Sequence, residues 1–174
     1  MSELHIILGP MFSGKTTRLI ELSKKYSNPL VINHALDVRY HATNLSTHDG
    51  IQTPCIQAFC LDDISKLVLS AAEAIFVNEA QFFPDILLVV EDWLSTYKKP
   101  IYVCGLDGDF RQQPFGDLLK IIPLCDTVEK LHAKCLCGSP AIFTHRLSSD
   151  KEQTLIGSDI YEPYCRTCFL NVIS

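Results

Sequence analysis

The sequence predicts an α/β protein: a parallel sheet flanked by helices, followed by a small C-terminal unit stapled by a metal. Three observations predict it. Gly9-Pro10-Met11-Phe12-Ser13-Gly14-Lys15-Thr16 reads G-x-x-x-x-G-K-T and lies between an apolar run and a helical pattern. A second apolar run, Ala74-Ile75-Phe76-Val77, passes straight into Asn78-Glu79, as a central strand buried on both faces does. After about residue 125 the α/β rhythm stops, and four cysteines follow as two close pairs, Cys135/Cys137 and Cys165/Cys168.

Length and composition bound the rest. With 174 residues there is room for one substantial α/β core and a small appendage. A content of 47% apolar and 20% charged residues is ordinary for a globular chain. The net charge of −5 argues against a broad nucleic-acid surface and against an anionic membrane. The longest aliphatic run, Ile86 to Val90, is five residues, far short of a membrane span. The first strand begins about four residues in, which leaves no room for a signal peptide ahead of it. The expected location is therefore the cytoplasm, or the host cytoplasm for a viral chain. In that reducing compartment eight cysteines are too many for disulfides.

In chain order, Leu4 to Leu8 reads as a short buried strand, and Thr16 to Lys25 as a helix with Leu19, Ile20 and Leu22 on its apolar stripe. Between them, the glycines let successive backbone N–H groups of residues 9–17 (through Thr17) converge into an anion nest at the helix N-terminus. Lys15 is placed to reach the β- and γ-phosphates of a nucleotide, and Thr16 to offer its hydroxyl to Mg²⁺. The bland alternative is a glycine turn. The strand-to-helix context decides for nucleotide binding.

Asn28-Pro29 ends the helix, and Leu30 to Asn33 is the second strand. Asp37 to Gly50 is polar without periodicity, a functional or mobile loop. Within it Asp37 and Arg39 read, on spacing alone, as solvated charges. Ile51 to Ala58 reads as a third strand, with Pro54 implying an edge or an irregular start. Leu61 to Ala71 is a helix by its apolar spacing at 61, 64, 67, 68 and 71. Glu79, at the carboxyl end of the strand that follows, is placed to act as a general base toward a substrate hydroxyl.

Pro84 to Tyr97 is a helix with Ile86, Leu87, Val90, Trp93 and Leu94 inward, and Lys98-Lys99 suits its dipole. Pro100 to Gly105 is another buried strand. It runs into Leu106-Asp107-Gly108-Asp109-Phe110 and Pro114-Phe115-Gly116, at the sheet edge where open α/β sheets bind ligands. From spacing alone Phe110 and Phe115 read as core. Further on, Cys165-Arg-Thr-Cys168 is a strong zinc-knuckle signal, whereas Cys135-Leu-Cys137 is one residue short of the usual spacing. Together they propose a closed, structural Cys₄ zinc site, with four free thiols as the alternative and His132 as a possible substitute ligand.

These stretches also carry a resemblance. Gly9 to Thr16, Asp37-Val-Arg-Tyr40, Thr47-His-Asp49, Glu79-Ala-Gln-Phe-Phe-Pro-Asp85, Leu106 to Phe110, Pro114-Phe-Gly116, Thr144-His-Arg146, Ile156-Gly157 and Cys165-Arg-Thr-Cys168 recur in family order over nearly the whole chain. The chain resembles the thymidine kinases of cytosol, many bacteria and large DNA viruses, the type with a structural zinc. The resemblance implies a RecA-like P-loop domain over residues 1–130 and a zinc-binding lasso domain over residues 131–174. It implies ATP-dependent phosphorylation of the 5′-hydroxyl of thymidine, and of deoxyuridine.

By similarity Glu79 is the general base, and Lys15, Asp37 and Arg39 line the transfer site. Gly9, Pro10, Met11, Phe12, Ser13, Gly14, Lys15, Thr16 and Thr17 hold ATP with Mg²⁺ on Thr16. Met11, Phe82, Leu106, Phe110, Phe115, Thr144 and Tyr161 hold thymidine, which moves the two phenylalanines from core to ligand contact. Homotetrameric assembly and feedback inhibition by thymidine triphosphate are further family traits, with neither nucleic acid nor membrane as partner. One departure stands out: Asn78 occupies a position where the family usually has Asp. It feeds an alternative reading, a non-catalytic P-loop and zinc module that senses nucleotide.

Overall fold

The computed structural model describes residues 2–37, 44–46, 52–155 and 157–173. Arg39, Thr47, His48, Asp49 and Ile156 lie outside the described residues. In chain order the elements are β1 (Glu3–Leu8), α1 (Lys15–Ser23), β2 (Pro29–His34), β3 (Asn44–Ser46), β4 (Gln52–Pro54), β5 (Ile56–Ala58), α2 (Lys66–Ala71), β6 (Ala74–Asn78), α3 (Ile86–Thr96), β7 (Pro100–Gly105), β8 (Thr127–Lys130), β9 (Ala133–Lys134), β10 (Pro140–Ala141), β11 (Phe143–Arg146), β12 (Tyr161–Tyr164) and α4 (Arg166–Ile173). Short 3₁₀ turns lie at Leu61–Asp63, Ala80–Phe82 and Leu118–Leu124.

Six strands form one wholly parallel sheet in the order β5-β2-β6-β7-β1-β8. The period-two alternation of each strand divides the core between the two faces. Leu4, Ile6, Ile75, Val77, Ile101 and Val103 point to the face covered by α3 and the 118–124 turn. Ile7, Phe76 and Cys104 point to the other face, toward Leu19 and Ile20 of α1. All five residues of β6 are buried, as its unbroken apolar run requires. Among the described residues no helix is long and apolar enough to cross a membrane.

The structure differs from the sequence expectation in three places. The expected strand over 51–58 is two strands: β4 pairs antiparallel with β3, while β5 joins the main sheet beside β2. The hairpin brings Leu45, from the stretch without readable periodicity, fully into the core. The expected helix over 61–71 is a 3₁₀ turn and a separate α2, because Ile64 takes an extended backbone. That break resets the helical phase and leaves Leu67 on the surface. Finally, the α/β rhythm continues past residue 125: β8 adds a sixth parallel strand beside β1. Its sequence, Thr-Val-Glu-Lys, is largely exposed at the sheet edge and carries no apolar signature.

Candidate active site

The carboxyl ends of β1, β7 and β6 deliver three loops to one side of the sheet. The loop after β1 is the phosphate-binding motif. Gly14, at φ 83°, sits in the left-handed region that turns the chain into α1. Lys15 is buried and its Nζ donates to the Pro10 carbonyl at 2.7 Å, so the side chain folds back over its own loop. The Ser13 Oγ is buried without a hydrogen-bond partner, an uncommitted donor inside the nest.

From this loop a file of side chains crosses the sheet edge. Thr16 Oγ1 donates to Asn78 Oδ1 (3.2 Å), Asn78 Nδ2 donates to Asn33 Oδ1 (2.8 Å), and Asn33 Nδ2 donates to Asp37 Oδ2 (3.4 Å). Asn33, Asp37 and Asn78 are all buried. Cys104 joins the file from β7, its thiol donating to Asn78 Oδ1 at 3.0 Å. Complete burial pushes that thiol up to about 12, so it stays a neutral donor.

Glu79 ends β6 with φ 53° and ψ 42°, an uncommon backbone for a non-glycine residue. Its carboxylate accepts from Gln81 Nε2 at 2.6 Å. Beyond it Phe82 and Phe115 meet edge to face at 5.4 Å, and His34 packs on Phe82 from beneath at 5.4 Å. Burial holds His34 below its ordinary pKa. Its Nδ1 accepts from the Leu36 N–H, which requires a neutral ring.

Beside these groups lies a cavity of about 370 Å³, within the range of small-molecule sites. Met11 to Thr17, Asp37, Glu79, Phe82, Leu106, Phe110, Phe115, Thr144 and Tyr161 all reach it. Gly9 and Pro10 do not line it, although they belong to the same loop. Phe115 is buried and Phe110 half-buried, so each is both packed and in contact with the cavity. The C-terminal segment closes it through β11, where the Met11 N–H donates to Thr144 Oγ1 at 3.0 Å.

Behind that segment the sulfurs of Cys135, Cys137, Cys165 and Cys168 lie within 4.8 Å of one another, close enough to hold a metal ion. The short C-x-C pair reaches because Cys135 is buried at the end of β9 while the turn to Ser139 swings Cys137 back. Hydrogen bonds from Ser139 pull Cys137 down to about 6, and the surrounding sulfurs push Cys168 up to about 12. His132 is exposed and does not belong to the cluster.

Comparison with known proteins fits this arrangement. A family model described as "Thymidine kinase" matches residues 2–169. The thymidine kinase of Yaba monkey tumor virus (strain VR587) is 41% identical, covering 97% of this chain and 95% of its own. That of Myxoma virus (strain Uriarra) is 38% identical, covering 96% of each. The cytosolic thymidine kinase of Homo sapiens is 38% identical over 99% of this chain and 75% of its own.

The chain belongs to the thymidine kinase family.

Three residues that shape this candidate site escaped the reading of residue types. Gln81 and Asn33 are uncharged amides inside apolar strands and turns, and their importance lies wholly in their partners. Arg146 is only 4% exposed. Its guanidinium donates to the carbonyls of Asp150 (3.2 Å), Glu152 and Gln153 (3.0 Å) and to the Tyr161 hydroxyl (2.7 Å). It also stacks 3.8 Å over the Phe110 ring. A signal was available: Arg in the Thr144-His-Arg146 motif sits where strand alternation faces it inward, with Thr144.

Proposed function

We propose that this chain transfers the γ-phosphoryl group of ATP to the 5′-hydroxyl of thymidine, and of deoxyuridine, releasing ADP. The observation that supports it is the shared cavity, in which a phosphate-binding loop, the three carboxylates of Asp37, Glu79 and Asp109 and a set of aromatic rings line one volume. Glu79 accepts the proton of the 5′-hydroxyl as that oxygen bonds to the γ-phosphorus and the bond to the bridging oxygen of ADP breaks. Lys15 places a fixed cation beside the transferring group. Asp37 belongs to the same site, and Arg39 joins it on the strength of the family motif. Met11, Phe82, Leu106, Phe110, Phe115, Thr144 and Tyr161 enclose the thymine. Buried polar groups at the base edge reject cytosine by leaving donors unmatched, at about 1–3 kcal/mol each.

Two metals fit the donor sets present. The oxygen of Thr16, with the unpartnered Ser13 hydroxyl nearby, suits a hard cation accompanying ATP, so Thr16 holds Mg²⁺ in this reading. Mg²⁺ neutralises charge on the phosphates when bound. Four thiols within mutual reach suit a structural Zn²⁺ on Cys135, Cys137, Cys165 and Cys168. The reading treats residues 1–130 and 131–174 as two units, the second folded over the nucleoside by its metal. It places the protein in the cytoplasm, in keeping with the name of the human relative. It also includes a homotetramer and inhibition by thymidine triphosphate, both drawn from the family resemblance. Light scattering checks the first, and inhibition kinetics check the second.

The decisive experiment is an ATP assay with thymidine, deoxyuridine, deoxycytidine and no nucleoside. Phosphorylation confined to the first two is the expected result. Nucleotide binding without turnover would make the chain a sensing module, and hydrolysis regardless of nucleoside would make it a plain ATPase.

A further inference from the structure

Gln81 stands between the proton acceptor and the wall of the base pocket. It is 3% exposed, and its side-chain amide makes one bond in each direction. The Nε2 donates to Glu79 Oε2 at 2.6 Å, and the Oε1 accepts the Leu106 backbone N–H at 3.0 Å. Only this orientation of the amide satisfies both neighbours. Turned over, it would set oxygen against carboxylate and N–H against N–H.

The surroundings are cut to fit this side chain. A Cβ on Gly105 would lie 2.5 Å from Gln81 Oε1, and a Cβ on Gly116 would lie 2.1 Å from the Gln81 carbonyl oxygen. Two glycines, one ending β7 and one in the loop that follows it, thus make way for one residue. Glu79 itself holds a left-handed backbone at φ 53° directly before the 3₁₀ turn that carries Gln81. A strained backbone of this kind persists where neighbouring structure over-determines it.

We infer that Gln81 is a positioning residue that fixes the Glu79 carboxylate against the Leu106 backbone, tying the thymine-pocket wall to the base. This rests on the reading of Glu79 as proton acceptor. Glutamine alone meets both demands at this reach. Glutamate keeps the acceptor for Leu106 but opposes a second carboxylate to Glu79. Methionine fills the volume with neither donor nor strong acceptor, and asparagine is one methylene short.

The test is steady-state kinetics on Q81M, Q81E, E79Q and the double variant E79Q/Q81M, each checked for cooperative thermal unfolding. Q81M should lower kcat about 100-fold, the scale of a misplaced reacting group, with the thymidine KM changed less than about threefold. Q81E should lose kcat as well while still binding thymidine, and it serves alone if Q81M fails to fold. Because Gln81 acts through Glu79, the double variant should be no slower than E79Q within about twofold. A raised KM with kcat intact would make Gln81 a direct base contact and overturn the proposal. So would losses that multiply in the double variant. An E79Q enzyme as active as wild type would instead overturn the assignment of the base, and the Gln81 proposal with it.

Discussion

The backbone N–H of Met11 donates to the side-chain hydroxyl of Thr144 at 3.0 Å, joining the phosphate-binding loop to the C-terminal segment across 133 residues of sequence. Met11 also lines the cavity, so one residue faces that volume while its backbone anchors β11. Thr144→Val keeps the shape and leaves the Met11 N–H unmatched, at a cost of about 1–3 kcal/mol. The loss should fall on kcat/KM for thymidine. Met11→Ala should raise the thymidine KM and leave ATP affinity nearly intact, as titration calorimetry can read. Equal losses for both substrates would confine the loop to holding phosphate.

In the proposed reaction the file Thr16–Asn78–Asn33–Asp37 sets the Mg²⁺ dependence. Asn78 accepts from Thr16 and donates to Asn33, so it orients the hydroxyl without adding charge. Asn78→Asp adds a carboxylate beside Thr16 but turns an oxygen toward Asn33 Oδ1. The expected outcome is half-maximal turnover at lower Mg²⁺ with a modest drop in melting temperature. An unchanged Mg²⁺ titration would show that Asp37 and Thr16 alone govern the cation.

Arg146 uses its guanidinium fork to gather three backbone carbonyls and the Tyr161 hydroxyl over Phe110. Lysine offers charge without the planar fork. Arg146→Lys should raise the thymidine KM about tenfold, the equivalent of one charge-assisted hydrogen bond. Hydrogen exchange should quicken across residues 150–155. Unchanged exchange there would separate the arginine from the order of that segment.

Freshly purified protein should carry one zinc per chain, since the four sulfurs converge within 4.8 Å. Cys165→Ser, at a buried ligand position, should lose the metal and lower the melting temperature, because metal binding is folding free energy for so small a unit. Substoichiometric zinc in the unaltered protein would remove the assignment.

His34 supplies a pH dependence. Its pKa is lowered in the folded state by burial, so the unfolded chain binds the extra proton first. Stability is therefore full above the ordinary histidine value of about 6.5 and declines as pH falls through it toward the lower folded value. Protonation would also set an N–H against the Leu36 N–H. Melting temperatures measured from pH 7.5 downward should fall in this window, and His34→Phe should flatten the decline. An identical slope in the variant would assign it to other groups.

The sequence by itself determined the chemistry and the frame. G-x-x-x-x-G-K-T between a strand and a helix, the apolar run ending in Glu79, and the cysteine pairs are local patterns, so they are legible without tertiary contacts. The sheet and the four-sulfur cluster follow from them. What only the tertiary structure decided is how groups distant in sequence meet. Spacing left Asp37 a solvated charge; it is buried because β2 and β6 lie side by side and pass a chain of amides to it. Gln81 and Asn33 bear no signature of their own, since a hydrogen bond is defined by its partner. Phe110 and Phe115 looked like core because packing and lining a pocket ask for the same apolar rings, and here they both pack and line the cavity. Edge strand β8 stayed hidden for the opposite reason: a strand half open to solvent needs no apolar pattern to pair.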